Sequence, residues 1–326
     1  MNESNNLKPK VSIIGGGNVG LRYAYALMIR GIARRICLVD LDRERLEGDV
    51  MDLNHGVPYI SPVEVTAGDY PDIEGSDLVV VTAGKGQAPG QSRLDLIRAN
   101  VELYRIIIPQ IVSYAPRALL LIVSNPVDIL AYAAYRISKK APGEVIGAGT
   151  VLDTARLRFL LGRHCRVDTR NVHAYILGEH GDSEFPAWSR ALIGGMFLND
   201  YCTICPFREV CDHQKVLEEI FVRVRDSAYQ IIERKGETSY GIGLALARIT
   251  RAILNDENAI LPVSSLFTDY PGGEEVYLSL PAVVNREGVR QVIRLKLDSA
   301  EEEALARSAG VIREVIDRLD LPGSSV

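Results

Sequence analysis

The run Gly15-Gly16-Gly17-Asn18-Val19-Gly20 constrains the fold of this 326-residue chain more than any other stretch. It follows an apolar, strand-like segment at residues 11–15 and opens a segment with helical spacing at residues 18–31. Glycine at 15, 17 and 20 allows a tight turn, an open approach to the backbone and a close helix–strand contact. Those are the requirements of a dinucleotide pyrophosphate seated on a helix N-terminus, with Asn18 and Val19 starting the helix whose amides and dipole face it. Asp40 ends the second apolar run about twenty residues beyond the last glycine, where a carboxylate accepts hydrogen bonds from ribose hydroxyls. It would repel a 2′-phosphate, so the residues select NAD over NADP. The plainer reading of Asp40 is a cap for the helix beginning near Asp42.

Around this loop, short apolar runs alternate with longer amphipathic ones. Residues 11–15, 36–40, 63–67, 78–82, 118–124 and 145–148 read as strands, and residues 18–31 and 93–114 as helices long enough to cross between parallel strands. The pattern predicts an α/β fold: a doubly wound parallel-sheet dinucleotide-binding domain over residues 1–148, followed by an α+β substrate and catalytic domain over 149–326. The second part shows a helix near 152–161, strands within 171–177, helices at 216–235 and 239–254, strand-like runs between 259 and 297, and a closing helix at 299–319. The helix at 239–254 is expected to pack back on the first domain. No Gly/Ser/Pro linker separates the two, which predicts a large shared interface.

With 47% hydrophobic and 24% charged residues, the chain is neither disordered nor fibrous in composition. A net charge of −5 supplies no general attraction for nucleic acid or an anionic membrane, so a small-molecule partner is expected. Residues 1–10 are polar and no apolar run reaches membrane-span length, which predicts a cytoplasmic protein with a short tail. Five cysteines, an odd number, point to a reducing compartment and away from a disulfide framework. Cys202, Cys205 and Cys211 with His213 have zinc-ligand chemistry, but their spacing is irregular; a thiol-rich surface loop is the expectation, and no metal.

Four polar segments fall where strand ends meet the second domain, the usual ligand crevice of an open parallel sheet. They are residues 82–95, Ser124-Asn125-Pro126-Val127-Asp128, Val151-Leu152-Asp153-Thr154-Ala155-Arg156, and Gly178-Glu179-His180-Gly181-Asp182-Ser183. Singly, Asp153 reads as a helix cap, Arg156 as a surface ion pair and His180 as a turn residue. Together they carry chemistry. Asp153 and Arg156, three apart on a helix, share a face. Arg156 has the planar fork that grips a carboxylate, and His180 is an acid–base group whose imidazolium a neighbouring Asp153 would favour.

With these segments, and with Thr238-Ser239-Tyr240-Gly241-Ile242 further on, the chain resembles the lactate/malate dehydrogenase family over almost its whole length. The resemblance implies NAD contacts from Thr82, Ala83, Gly84, Asn125 and Ile242 as well as the glycine loop and Asp40. It implies His180 and Asp153 as the acid–base pair and Arg156 as the carboxylate anchor. Arg93, behind a glycine-containing lid at 84–90, would reach the substrate carbonyl. Asn125 would meet both the carbonyl and the nicotinamide.

Gln87 stands where the malate branch carries an arginine, and Thr238 and Leu94 match the lactate branch. The implied substrates are therefore pyruvate and L-lactate. Malate, longer 2-hydroxy acids and a non-catalytic NAD-binding role stay open as alternatives. Ala148 and Gln91 depart from the usual pattern. The resemblance further implies a homotetramer of the bacterial type activated by fructose 1,6-bisphosphate. Arg158 lies about 200° around a helix from Arg156, within a basic stretch that ends at His173. Arg158 and His173 match the pair that binds the sugar bisphosphate.

Overall fold

Apolar runs covered on both faces belong in a sheet's interior. Two such runs, Leu78–Val81 and Leu119–Ile122, are wholly buried at the centre of a nine-stranded sheet. The computed structural model describes residues 9–86, 92–206, 208–209 and 211–321. The parallel strands are β1 (Lys10–Ile14), β2 (Arg35–Val39), β3 (Glu64–Ala67), β4 (Leu78–Val81), β5 (Leu119–Ile122) and β6 (Val145–Gly147). Between them run α1 (Asn18–Arg30), α2 (Arg43–His55), α3 (Arg93–Tyr114) and α4 (Val127–Ser138).

Beyond β6 come α5 (Val151–Cys165), β7 (Val172–His173), β8 (Ile176–Leu177), β9 (Phe185–Pro186), β10 (Leu192–Ile193) and β11 (Met196–Phe197). Helices α6 (Leu198–Ile204), α7 (His213–Arg225), α8 (Ser227–Lys235) and α9 (Tyr240–Leu254) follow. The chain then forms β12 (Ala259–Phe267), β13 (Val276–Asn285), β14 (Gly288–Val292) and α10 (Ser299–Ile316).

The sheet order is β3-β2-β1-β4-β5-β6-β12-β13-β14, so the sheet does not stop at residue 148. Strand β12 pairs antiparallel with β6 through Ser264 and Gly147, and the β12–β13 pair extends the sheet to β14. One face is covered by α3, α4 and α10 through Ile97, Tyr104, Leu130 and Ile312. The other is covered by α1, α2 and α9 through Leu27, Leu46, Leu246 and Ile249. Helix α9 lies on α1, where the buried Tyr23 and Thr250 hydroxyls pair at 2.5 Å, as buried hydroxyls must. A third apolar cluster joins α5 and α7 to β7, β8 and β10.

Two expected elements are divided. The run at 171–177 splits because α5 takes its hydrogen bonds: Thr154 Oγ1 accepts the Ile176 N–H at 2.9 Å and Thr150 Oγ1 donates to the Ile176 carbonyl at 2.6 Å. Strand β7 then pairs with β10, and β8 pairs with β9. The helix expected at 216–235 starts earlier, at His213, and breaks at Asp226. There the Ser227 hydroxyl donates back to the Arg223 carbonyl, a contact that bends helices.

Candidate active site

The chain reverses its winding between β1 and β4, and ligand crevices of open α/β sheets form at such a point, at the carboxyl ends of the strands. Hydroxyl groups tie these ends together. Thr82 Oγ1 donates to the Gly15 carbonyl at 2.7 Å and Ser124 Oγ to the Ala83 carbonyl at 2.6 Å. Asn100, fully buried on α3, accepts the Lys85 N–H at 2.7 Å and so anchors the start of the segment after β4.

Gly15 has φ +113°, and a Cβ on it would lie 2.6 Å from the Ala83 nitrogen. A Cβ on Gly20 would overlap the Gly15 carbonyl oxygen. Those two glycines let the turn close, whereas no described residue comes within 4 Å of the side chain that Gly17 lacks. Among the described residues no side chain caps α1 at Gly17, so the first-turn amides at exposed Asn18 and half-buried Val19 are left uncapped next to the open space at Gly17. Asp40 borders that space: Oδ2 accepts the Gly16 N–H at 2.6 Å and Oδ1 the Asp42 N–H at 3.0 Å. The cap of α2 is Asp42, not Asp40. An uncapped helix end with a carboxylate at its edge fits the pyrophosphate and ribose of a dinucleotide.

On the opposite wall, the first turn of α5 carries Asp153, which is 2% exposed. Its Oδ2 pairs with His180 Nδ1 at 2.7 Å and its Oδ1 accepts from Arg156 Nη1 at 2.7 Å. His180 sits on the turn between β8 and β9, 25% exposed at the side chain, and its backbone N–H donates to Asp128 Oδ2 on α4 at 2.7 Å. Burial would by itself lower the imidazole, but the charge and hydrogen bond of Asp153, helped by Glu184 and Asp128, raise it to about 9. Burial works against Asp153 ionising as well. The charges and hydrogen bonds of His180 and Arg156 prevail and hold it below the usual carboxylate range.

Asp153, Arg156, His180 and Glu184 line a cleft of ≈ 320 Å³ together with Asn125, Leu96 and Ile97 and with Tyr229 and Ile232 of α8. A larger cavity, ≈ 820 Å³, lies at the opposite ends of the strands around Asp77, Leu119 and Glu144, away from these titratable groups.

Other candidates lie elsewhere. Gln87 and Gln91 fall outside the described residues; Arg93 is the first residue of α3, its side chain likewise outside them. Thr238 is half-buried in the connection from α8 to α9 and does not line the cleft. Ile242, on the first turn of α9, packs with Val19 against the apolar layer under α1. Arg158 leaves α5 away from the cleft: its Nε donates to the Ala174 carbonyl at 3.0 Å and its guanidinium stacks 5.1 Å over Tyr175, while His173, two residues before Tyr175 in the chain, is exposed.

Cys202 contacts His213 at 3.1 Å and Cys211 contacts His164 at 3.5 Å. Among the described residues these cysteines do not gather three donor atoms within 4.8 Å of one another.

Sequence reasoning passed over Asp128 and Glu184. Asp128 had a readable signal, a carboxylate inside the apolar stretch at 127–134. Burial pushes its carboxyl up to about 7, so the His180 amide is a needed partner. Glu184 had no local signal.

The family model for the lactate/malate dehydrogenase NAD binding domain matches residues 9–147, and that for the alpha/beta C-terminal domain matches 150–320. The chain belongs to the lactate/malate dehydrogenase family. Membership makes it an NAD-dependent oxidoreductase, with the glycine loop and Asp40 in the first matched region and Asp153, Arg156 and His180 in the second. It is 49% identical over 312 residues to an L-lactate dehydrogenase of Thermoanaerobacter sp., covering 96% of this chain and 99% of that protein. An L-lactate dehydrogenase of Priestia megaterium is 46% identical over 309 residues, covering 95% and 96% of the two chains. Among solved structures, a minor L-lactate dehydrogenase from Enterococcus mundtii superposes with a TM-score of 0.91 at 38% identity, covering 96% of this chain and 99% of the other. A lactate dehydrogenase from a Medee basin deep-sea metagenome gives 0.90 at 44% identity, covering 95% and 98%.

Proposed function

We propose that the protein interconverts pyruvate and L-lactate with NADH and NAD. The observation that carries this reading is one buried carboxylate, Asp153, holding both Arg156 and His180 at the cleft wall. Because Nη1 of Arg156 is committed to Asp153, the rest of its fork is left to grip the substrate carboxylate. His180 commits Nδ1 to Asp153, which leaves Nε2 to protonate the pyruvate carbonyl oxygen or take the hydroxyl proton of lactate. Bound NADH supplies the hydride. Asn125 and Arg93 stabilise the negative charge that develops on the carbonyl oxygen. Leu96, Ile97 and Ile232 give the substrate methyl group apolar neighbours.

Steady-state NADH oxidation with pyruvate, oxaloacetate and branched 2-keto acids tests the proposal. An unpaired second carboxylate in this cleft costs several kcal/mol, so pyruvate is expected to lead oxaloacetate by roughly 10²-fold or more in kcat/KM. Equal values for the two would overturn it. Gln87→Arg is expected to move the ratio toward oxaloacetate by at least about tenfold, the equivalent of roughly 1.4 kcal/mol in transition-state binding. An unmoved ratio would remove Gln87 from substrate selection.

The finer reading includes activation by fructose 1,6-bisphosphate at Arg158 and His173. Its support is a half-buried guanidinium held by a backbone carbonyl and a ring, with no carboxylate partner among the described residues. The effector is expected to lower the apparent KM for pyruvate roughly fivefold or more, and Arg158→Gln to abolish the response. A KM indifferent to the effector, or a response surviving in the variant, would count against the site. Exposed Tyr25 and Ile29 on α1 beside exposed Tyr240 and Leu244 on α9 support a homotetramer, with molar mass by light scattering as its check. A cytoplasmic location accords with five free cysteines.

A further inference from the structure

Glu184 stands beside the His180–Asp153 pair without a part in the chemistry above. The residue is 6% exposed, on the turn between β8 and β9, where its N–H donates to the Gly181 carbonyl at 3.2 Å. Oε1 has no hydrogen-bond partner among the described residues. A Glu184 carboxyl oxygen, an Asp153 carboxyl oxygen and a His180 ring nitrogen all lie within 4.8 Å of one another.

Two carboxylates this close in a buried site resist ionising together, and the Arg156 Nη1 contact goes to Asp153. An unpartnered buried carboxylate carries a heavy desolvation cost, so the neutral acid is the stable form near neutrality. The charged and titratable surroundings agree. Asp153 and Arg156 face it from α5, Glu179 and His180 from its own turn; Asp128 on α4 faces His180; Asp182, Arg225 and Tyr229 line the same cleft. Burial first, then the Asp153 charge, push the Glu184 carboxyl up to about 9, against the opposing pull of His180 and Arg156.

We propose that Glu184 is a positioning residue acting through His180: its buried carboxyl is neutral while His180 is poised to donate, and ionises as the medium turns alkaline, so that its new charge keeps the proton on His180. This rests on the reading of His180 as the proton donor. The two groups titrate as a pair, so loss of activity at high pH is spread over two linked steps. Below that range Glu184 adds no charge to compete with Asp153 for the imidazolium.

The test is the pH profile of kcat/KM for pyruvate reduction in the wild type and in Glu184→Gln, each scaled to its own plateau. The alkaline limb of the variant is expected at lower pH, by about half to one unit, and steeper, because one step replaces two. Superposed limbs would overturn the proposal. A measurement on the wild type alone guards against a variant that fails to fold. With ¹³C-labelled glutamate, one side-chain carboxyl resonance is expected to titrate far above the ordinary glutamate range, and all of them titrating in that range would also overturn it. His180→Asn separates the two claims: if it is inactive while the limbs superpose, only the Glu184 role fails; if it turns over like the wild type, the His180 reading fails.

Discussion

Replacing His180 with asparagine is expected to lower pyruvate reduction by roughly 10²–10⁴-fold, the usual worth of a positioned acid–base group, while NADH binding persists. The separation follows from the layout. His180 lies on the β8–β9 turn and reaches the cleft from the α5 side, whereas the dinucleotide loop lies between β1 and α1. Asparagine retains a polar side chain and the backbone N–H that donates to Asp128, so the turn keeps its anchor. What disappears is the proton. Single-turnover reduction followed at 340 nm, with NADH affinity measured by fluorescence quenching, checks both halves. Wild-type turnover would remove His180 from the mechanism, and loss of NADH binding would show that the turn supports the cofactor loop.

Asp153→Asn is expected to move the alkaline limb of pyruvate reduction down by about 1–3 pH units, the effect of losing one close opposite charge. The sign follows from which form works. The His180 imidazole titrates at about 9 in the intact site, so the donor is protonated below that and lost as pH rises through it. Without the Asp153 charge, burial acts on the imidazole less opposed and lowers the pH at which the proton leaves. One unit above the new midpoint only about a tenth of the enzyme retains the donor. Lactate oxidation uses the neutral imidazole, so its acidic limb moves down in step. Arg156 loses its charged partner in the same substitution, which is expected to raise the pyruvate KM as well. Unmoved pH limbs in both directions would show that Asp153 orients the ring without tuning its charge.

Much of the architecture depends on neighbours in sequence and was therefore legible without coordinates. A strand, a glycine turn and a helix start within a few residues of one another, and Gly15 and Gly20 serve close contacts that no side chain permits. The central strands are apolar throughout because they are covered on both faces. Asp153 and Arg156, three residues apart, share a helix face by geometry alone. The opposite direction of Arg158 follows from the same period, and its guanidinium does leave α5 toward Ala174.

Other features depend on contacts between residues distant in the chain. The alternating runs after residue 259 marked strands, but local pattern does not say which edge they join; Gly147, lacking a side chain, lets Ser264 of β12 lie against β6. The split at 171–177 arose because threonines twenty-odd residues earlier satisfy the Ile176 backbone. Asp128 acquires its character from burial against the backbone N–H of a turn carried on another element, and Glu184 from burial beside the Asp153 carboxyl of α5; burial is a property of the assembled fold. Thus residue types and short spacings determined the chemistry available to this protein. The tertiary structure alone decided which charges share one low-dielectric cleft, because the work of ionising a carboxyl depends on what surrounds it in space and not on what precedes it in the chain.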